Sequence, residues 1–389
     1  MKRSLRIVRV MPFFHLRRGG SVAQALATCS ELAARGHDVR VVTSDLDQPA
    51  EVARNAWSTR DGFRVWYGKV GLLGRAPPYW QPQLRDPIAA CMADADVLCL
   101  HVGLTATNSL ARRLAVRHAV PYVYNAEGAL CPTRLRDKAL RKRVFLALFE
   151  RRTLRDADAI QAVTQKEAND ALALGADVSC VHVIPNGVAL PTTRTTRETA
   201  RARLGWPTDE FVILFLGRLS EMKCPDVLLE AAASLLGPGR ARLVLAGPDD
   251  GMAQLLRARA AQIGVLDRVH LPGLVVGDER ENLWSAADVF VLPSRSEGLP
   301  LGPLEAAARG LPAIVTRACN LPEIAIEDAG AVVDEGVGPL RAALAEIAGD
   351  VNSLRRRSEN ARSMVGRHFA IGTVVDRLEN LYAQLAGRS

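Results

Sequence analysis

Short apolar runs rich in Val, Ile, Leu and Phe recur along the chain, separated by longer stretches of helical periodicity. In the first half they fall at 6–10, 39–43, 63–67, 97–100, 122–124, 159–164 and 181–184. In the second half they fall at 211–216, 242–246, 269–271, 289–292, 313–316 and 331–333. Strands that are apolar at nearly every position are covered on both faces, as in parallel sheets sandwiched between helices. Two such series predict two doubly wound α/β domains. Ligands of such sheets bind beyond the carboxyl ends of the strands, so the active site is expected in a cleft between two facing sheets.

The series part at 189–207, a stretch rich in Thr, Arg and Pro with no strand signal. This predicts an N-terminal domain over 1–188, a linker over 189–208 and a C-terminal domain over 209–368. Residues 369–389 read as a terminal helix that packs back toward the N-terminal domain. A length of 389 residues suits two domains. No stretch approaches the ~20 apolar residues that cross a bilayer. The first ten residues are interrupted by Arg6 and Arg9, and read as a strand rather than an export signal. Seven cysteines are scattered without CxxC pairs, so neither a zinc site nor a disulfide framework is expected, and a reducing, cytoplasmic setting is.

Charge changes the picture more. Residues 1–190 hold 27 Lys/Arg against 17 Asp/Glu, whereas the remainder holds 23 against 25. A one-sided excess points to one face that meets an anionic surface. A nucleic-acid partner is not expected, because no reader module or aromatic-interleaved basic stretch accompanies the charge. Nine Lys/Arg lie between Arg134 and Arg155, around the apolar block Val144, Phe145, Leu146, Leu148 and Phe149. A basic amphipathic helix lies on an anionic membrane, each cation contributing ~1 kcal/mol. The expected place is the cytoplasm, with peripheral association at the inner face of the cytoplasmic membrane.

Candidate chemistry concentrates after the 289–292 run, in a Gly/Pro-rich loop from Pro293 that carries Glu297 and leads into a helix carrying Glu305. Pro303 suits a first helical turn, where its missing N–H costs nothing. Two carboxylates at a sheet edge bind a polyhydroxylated ligand, and a helix N-terminus offers N–H groups to a phosphate. The 211–216 run ends at Gly217, followed by Arg218 and then Lys223. A guanidinium and an ammonium at a sheet mouth suit a diphosphate.

These motifs occur in a fixed order with others. They are Gly19-Gly20, the segment Leu32 to Val39, Ile184-Pro185-Asn186-Gly187-Val188, Gly247-Pro248, Gly310-Leu311-Pro312 and Glu323. The whole chain thereby resembles the retaining glycosyltransferases of family 4, which have the GT-B fold of two Rossmann-like domains facing across a cleft. The resemblance implies transfer of a hexose-type sugar from a UDP- or GDP-sugar to a glycan or lipid-linked acceptor, as in surface polysaccharide or lipopolysaccharide biosynthesis. A GT-B sugar epimerase and a storage-glucan synthase are the alternatives. By the family pattern Arg218 and Lys223 bind the donor diphosphate, Glu297 the transferred sugar and Glu305 the ribose. Gly20, Leu274, Gly298, Leu299, Leu301 and Leu321 complete the donor side.

Gly19, Gly20, His101 and Glu127 form the acceptor side. Most of the family carries a His near the position of Glu127, which is read as its functional replacement. The catalytic set is then Glu127, Arg218, Lys223 and Glu297. No cofactor and no metal are expected, because protein cations would stabilise the charge that develops on the leaving phosphate. Pro300 stands where the family often has Gly, and Ala189 where an Asp is usual.

Overall fold

The structure, a computed structural model, describes residues 3–132, 135, 139–191, 195–237 and 241–387. The chain divides into two compact units, one of residues 1–187 with 371–389, the other of residues 188–370. In the first unit, β1 (Arg6–Val10), β2 (Asp38–Ser44), β3 (Trp57–Arg60), β4 (Phe63–Gly68), β5 (Val97–His101), β6 (Tyr122–Asn125), β7 (Ala159–Ala162) and β8 (Val181–Val183) form one sheet. Its order is β3-β4-β2-β1-β5-β6-β7-β8. Every pairing is parallel except that of β3 with β4. That edge strand escapes the apolar pattern because its side chains alternate between partial and full exposure. Asp61 and Gly62, both at positive φ, turn it back into β4. The 159–164 run pairs only as far as Ala162.

The second unit has β9 (Phe211–Leu216), β10 (Ala241–Ala246), β11 (Val269–Gly273), β12 (Val289–Leu292), β13 (Ala313–Thr316) and β14 (Gly330–Val333). Their order is β11-β10-β9-β12-β13-β14, all parallel. The order in which successive strands are added reverses between β1 and β5 in one sheet, and between β9 and β12 in the other. Crevices open at such switch points, at the carboxyl ends of the strands.

Helix Ile371–Ala386 is amphipathic and belongs to the first unit. Val374, Val375, Leu378, Leu381, Tyr382 and Leu385 enter that unit's core. Buried Glu379 meets His37 at 3.0 Å.

Helix Arg197–Leu204, within the stretch read as a linker, is part of the second unit. Its Arg201 is fully buried and donates to Asp288 at 2.6 Å and to the carbonyls of Ala286 and Glu210 at 3.0 and 2.6 Å. Asp288 also accepts from the Val212 amide at 2.7 Å, which fixes the start of β9. Asp288 also pairs with Arg197 at 2.8 Å, so removing Arg201 leaves the carboxylate one cation but takes the donor from two buried carbonyls. Arg201→Met is therefore expected to cost about 1–3 kcal/mol, read as a fall in the urea unfolding midpoint.

Candidate functional site

In the second unit the carboxyl ends of β9, β10 and β11 converge through glycines. Gly217 donates to the Ala246 carbonyl, and Gly247 donates to that of Gly273. Gly247 has φ +141°, and a side chain there would collide with the Gly217 carbonyl. Arg218 follows at once, half-exposed, with its guanidinium 3.8 Å from Asp250.

Lys223 lies in the turn beyond, and its Nζ meets Glu297 Oε1 at 2.5 Å. The Arg295 amide bonds to the Met222 carbonyl at 2.9 Å, which ties this turn to the loop after β12. Asn320, in the left-handed conformation, fixes the same loop from the other side. Its Nδ2 donates to the carbonyls of Glu297 and Gly298 at 2.7 and 3.0 Å. The Glu297 amide donates to the Ala318 carbonyl at 3.1 Å. Glu297 is thus held by its backbone on one strand's loop and by a cation from another.

Helix Leu301–Ala308 begins directly after this loop, and no side chain caps it. Its free first-turn amides and positive dipole end favour an anion. Glu305 lies one turn in and pairs with Arg280 at 2.6 Å. Arg280 and Arg309 both lie over the Trp284 ring, so the cation that orients Glu305 is itself held. Leu299 and Leu321 are buried, while Leu274 projects into solvent beyond β11. Neither Arg280 nor the Asn320 side chain was legible as part of the site. A positive-φ Asn is a usable signal, but an arginine in a helix twenty-five residues from its partner gives none.

In the first unit, Gly19 has φ +96° between a short turn and helix Gly20–Ala34, a conformation that demands glycine. Across the switch point, β5 ends in His101 and β6 runs on to Glu127. His101 Nδ1 and Glu127 Oε1 are 2.8 Å apart, both nearly buried. The structure pairs two residues that the sequence offers only singly. Among the described residues, His101 Nε2 and Glu127 Oε2 have no hydrogen-bond partner. Burial lowers the imidazole pKa against the opposing pull of Glu127.

Two further carboxylates hold this turn. Glu167 accepts from the amides of Gly128 and Val163 at 2.5 and 2.7 Å. Glu150 accepts from the Leu104 amide at 2.8 Å and from the Tyr124 hydroxyl. Val102, Leu104 and Glu127 all sit at positive φ, as a turn fixed by its surroundings rather than by its own preference. Burial pushes Glu150 up to about 7 from 4.5. The folded protein therefore holds this proton more tightly than the unfolded chain. Its contribution to stability is full below the unfolded value and is lost as pH rises through about 7. Glu150→Gln is expected to abolish that loss, so that its melting temperature gains on the wild type between about pH 5 and pH 8.

The basic segment is a helix over Ala139–Phe145, one π-helical turn over Leu146–Glu150 and a helix over Arg151–Arg155. Arg134, Arg136 and Lys138, and the side chain of Arg141, lie outside the described residues. Leu140, Val144, Leu148 and Phe149 are exposed. Among the described residues no helix is long and apolar enough to cross a membrane.

Family models match both units: "Glycosyl transferase 4-like domain" over residues 19–187 and "Glycosyl transferases group 1" over residues 196–364. A D-inositol 3-phosphate glycosyltransferase of Mycolicibacterium smegmatis is 32% identical over 337 residues, which is 81% of this chain and 75% of that protein. The chain belongs to the family 4, or group 1, glycosyltransferases. The enzyme is also 34% identical to a D-inositol 3-phosphate glycosyltransferase of Xylanimonas cellulosilytica, over 61% of this chain and three-fifths (60%) of that one. Its fold is GT-B. The sucrose-phosphate synthase of Thermosynechococcus elongatus superposes with a TM-score of 0.83 at 22% identity, over all of both chains. HepE of Anabaena, in complex with UDP and glucose, superposes at 0.74 with 18% identity, over 98% of the enzyme and all of HepE.

Asp-x-Asp triplets occur three times in this glycosyltransferase, at 45–47, 94–96 and 156–158. Each is engaged by the protein. Asp45 and Asp47 pair with Arg54 and Arg18, Asp94 and Asp96 with Arg40 and Arg6, and Asp156 with Arg112. Asp158 accepts from the Tyr122 amide.

Proposed function

We propose that the enzyme moves a hexose-type sugar, with retention of anomeric configuration, from a UDP- or GDP-sugar to a hydroxyl of a phosphate-bearing glycan or lipid-linked acceptor. The observation that carries this reading is the second unit's constellation. Lys223 with Glu297, and Arg280 with Glu305, are arrayed beside the uncapped start of helix Leu301–Ala308. The helix end and Arg218 with Lys223 take the diphosphate, Glu305 the ribose and Glu297 the transferred sugar. HepE, whose structure holds UDP and glucose, supports a uridine nucleotide by likeness of fold.

The excess of cations in the first unit suits an anionic acceptor. The exposed leucines and arginines of the basic segment suit the inner face of an anionic membrane, in a role such as surface polysaccharide assembly. A soluble polyol phosphate is the second reading, favoured by the names of the two relatives.

The experiment is a thermal-shift series with UDP, GDP, ADP and their sugars. A nucleotide at a hundred times its dissociation constant stabilises the folded state by about 2.7 kcal/mol. A melting temperature unmoved by every nucleotide would overturn the donor reading.

A further inference from the structure

A cavity of about 480 Å³ opens in the first unit between the basic segment and helix Gln165–Ala173. None of the sugar-transfer residues named above lines it. Its apolar wall includes Leu130, Leu146 and Leu174, and Lys142, Arg143 and Arg151 also border it. The one carboxylate among the lining residues, Asp170, pairs with Lys166 at 3.0 Å. A leucine-lined space bordered by two exposed arginines suits a molecule with a hydrocarbon chain and an anionic head, and its volume falls in the range of small-molecule sites. The same helical segment exposes Leu140, Val144 and Leu148 at four-residue spacing, on a face that does not line the cavity. It is therefore apolar toward solvent as well as toward the cavity, which suits an element that draws its ligand from a bilayer.

We propose that this cavity binds the hydrocarbon chain of a phosphate-headed amphiphile, an isoprenyl or acyl phosphate, with the phosphate held by Arg143 and Arg151. The two elements that form its walls also hold the acceptor-side turn. Glu150, in the π-helical turn, fixes the Leu104 amide, and Glu167, in the facing helix, fixes that of Gly128. A chain seated here rests on the same scaffold that positions His101 and Glu127. The ligand's part in catalysis rests on the acceptor reading above, whereas its binding does not.

Calorimetric titration of the full chain with dodecyl phosphate, below its micelle concentration, tests this. Dodecyl maltoside and inorganic phosphate serve as controls. Saturation at one dodecyl phosphate per chain is expected, with neither control competing. Ala173→Trp, which fills the cavity, is expected to abolish binding. Arg143→Gln with Arg151→Gln is expected to weaken it roughly twenty-five-fold, about five-fold for each cation near the phosphate. Equal binding of dodecyl maltoside would mean nonspecific adsorption, and equal binding of inorganic phosphate a surface anion patch. Either result, or binding untouched by Ala173→Trp, overturns the proposal. If Ala173→Trp lacks a cooperative melting transition, the exposed arginine pair decides, and unchanged affinity there has the same consequence. UDP and GDP thermal shifts on the same proteins separate the two readings. Nucleotide stabilisation without dodecyl phosphate binding sinks the cavity assignment alone, and the converse sinks the donor reading alone.

Discussion

Lys223→Ala is expected to lower kcat by about 10²–10³, the usual effect of removing one preorganised group from the charge that develops in a transition state. Departure of a nucleoside diphosphate places negative charge on its terminal phosphate, and in the proposed donor site the ammonium is already fixed beside it. Glu297 holds it at 2.5 Å, and the turn that carries it is tied to the loop after β12 through Met222 and Arg295. Its reorganisation during reaction is therefore small. Donor binding should weaken less than turnover, because the charge on the phosphate is greater in the transition state than in the ground state. The check is steady-state kinetics beside a nucleotide thermal shift. A rise in KM with kcat intact would reduce Lys223 to a ground-state binding contact. Lys223→Arg, whose fork is wider and cannot superpose on a point charge, should recover little.

Glu127→Gln is expected to lower kcat by about 10²-fold while donor KM changes little, the scale of a positioned acid–base group. Glu127 orients the His101 ring through Nδ1 and leaves Nε2 without a partner among the described residues. It also opposes the depression of the imidazole pKa by burial. Without the carboxylate that pKa falls further, so the acid limb of kcat/KM should move to lower pH. Should the pair act as one unit, the double variant with His101→Ala costs no more than the worse single variant. Wild-type kcat in Glu127→Gln would leave the carboxylate a structural charge. An additive double variant would separate the two residues.

The parallel strands of both units were legible because each is buried on both faces. Residues such as Phe211–Leu216 then become apolar without reference to any neighbour. The Glu297 loop and the start of the next helix were legible for a related reason. Pro300, Pro303 and the glycines fix local backbone wherever they occur. β3 was not, because an exposed edge strand meets no apolar requirement and shows itself only through the turn at Asp61-Gly62.

The sequence by itself determined two doubly wound domains and the order of their loops, since these follow from periodicity and turn chemistry within single segments. Pairings across the sheet were decided by tertiary structure alone. His101 meets Glu127 because β5 and β6 are in register, with His101 beside Asn125, and because residues at positive φ then bend the chain. Glu305 meets Arg280, and Glu150 reaches the Leu104 amide, because separate helices pack on one sheet. Contacts of that kind depend on strand register, helix rotation and burial around each charge. No stretch of sequence encodes those three locally, and together they determine which polar groups satisfy one another and which are left facing a ligand.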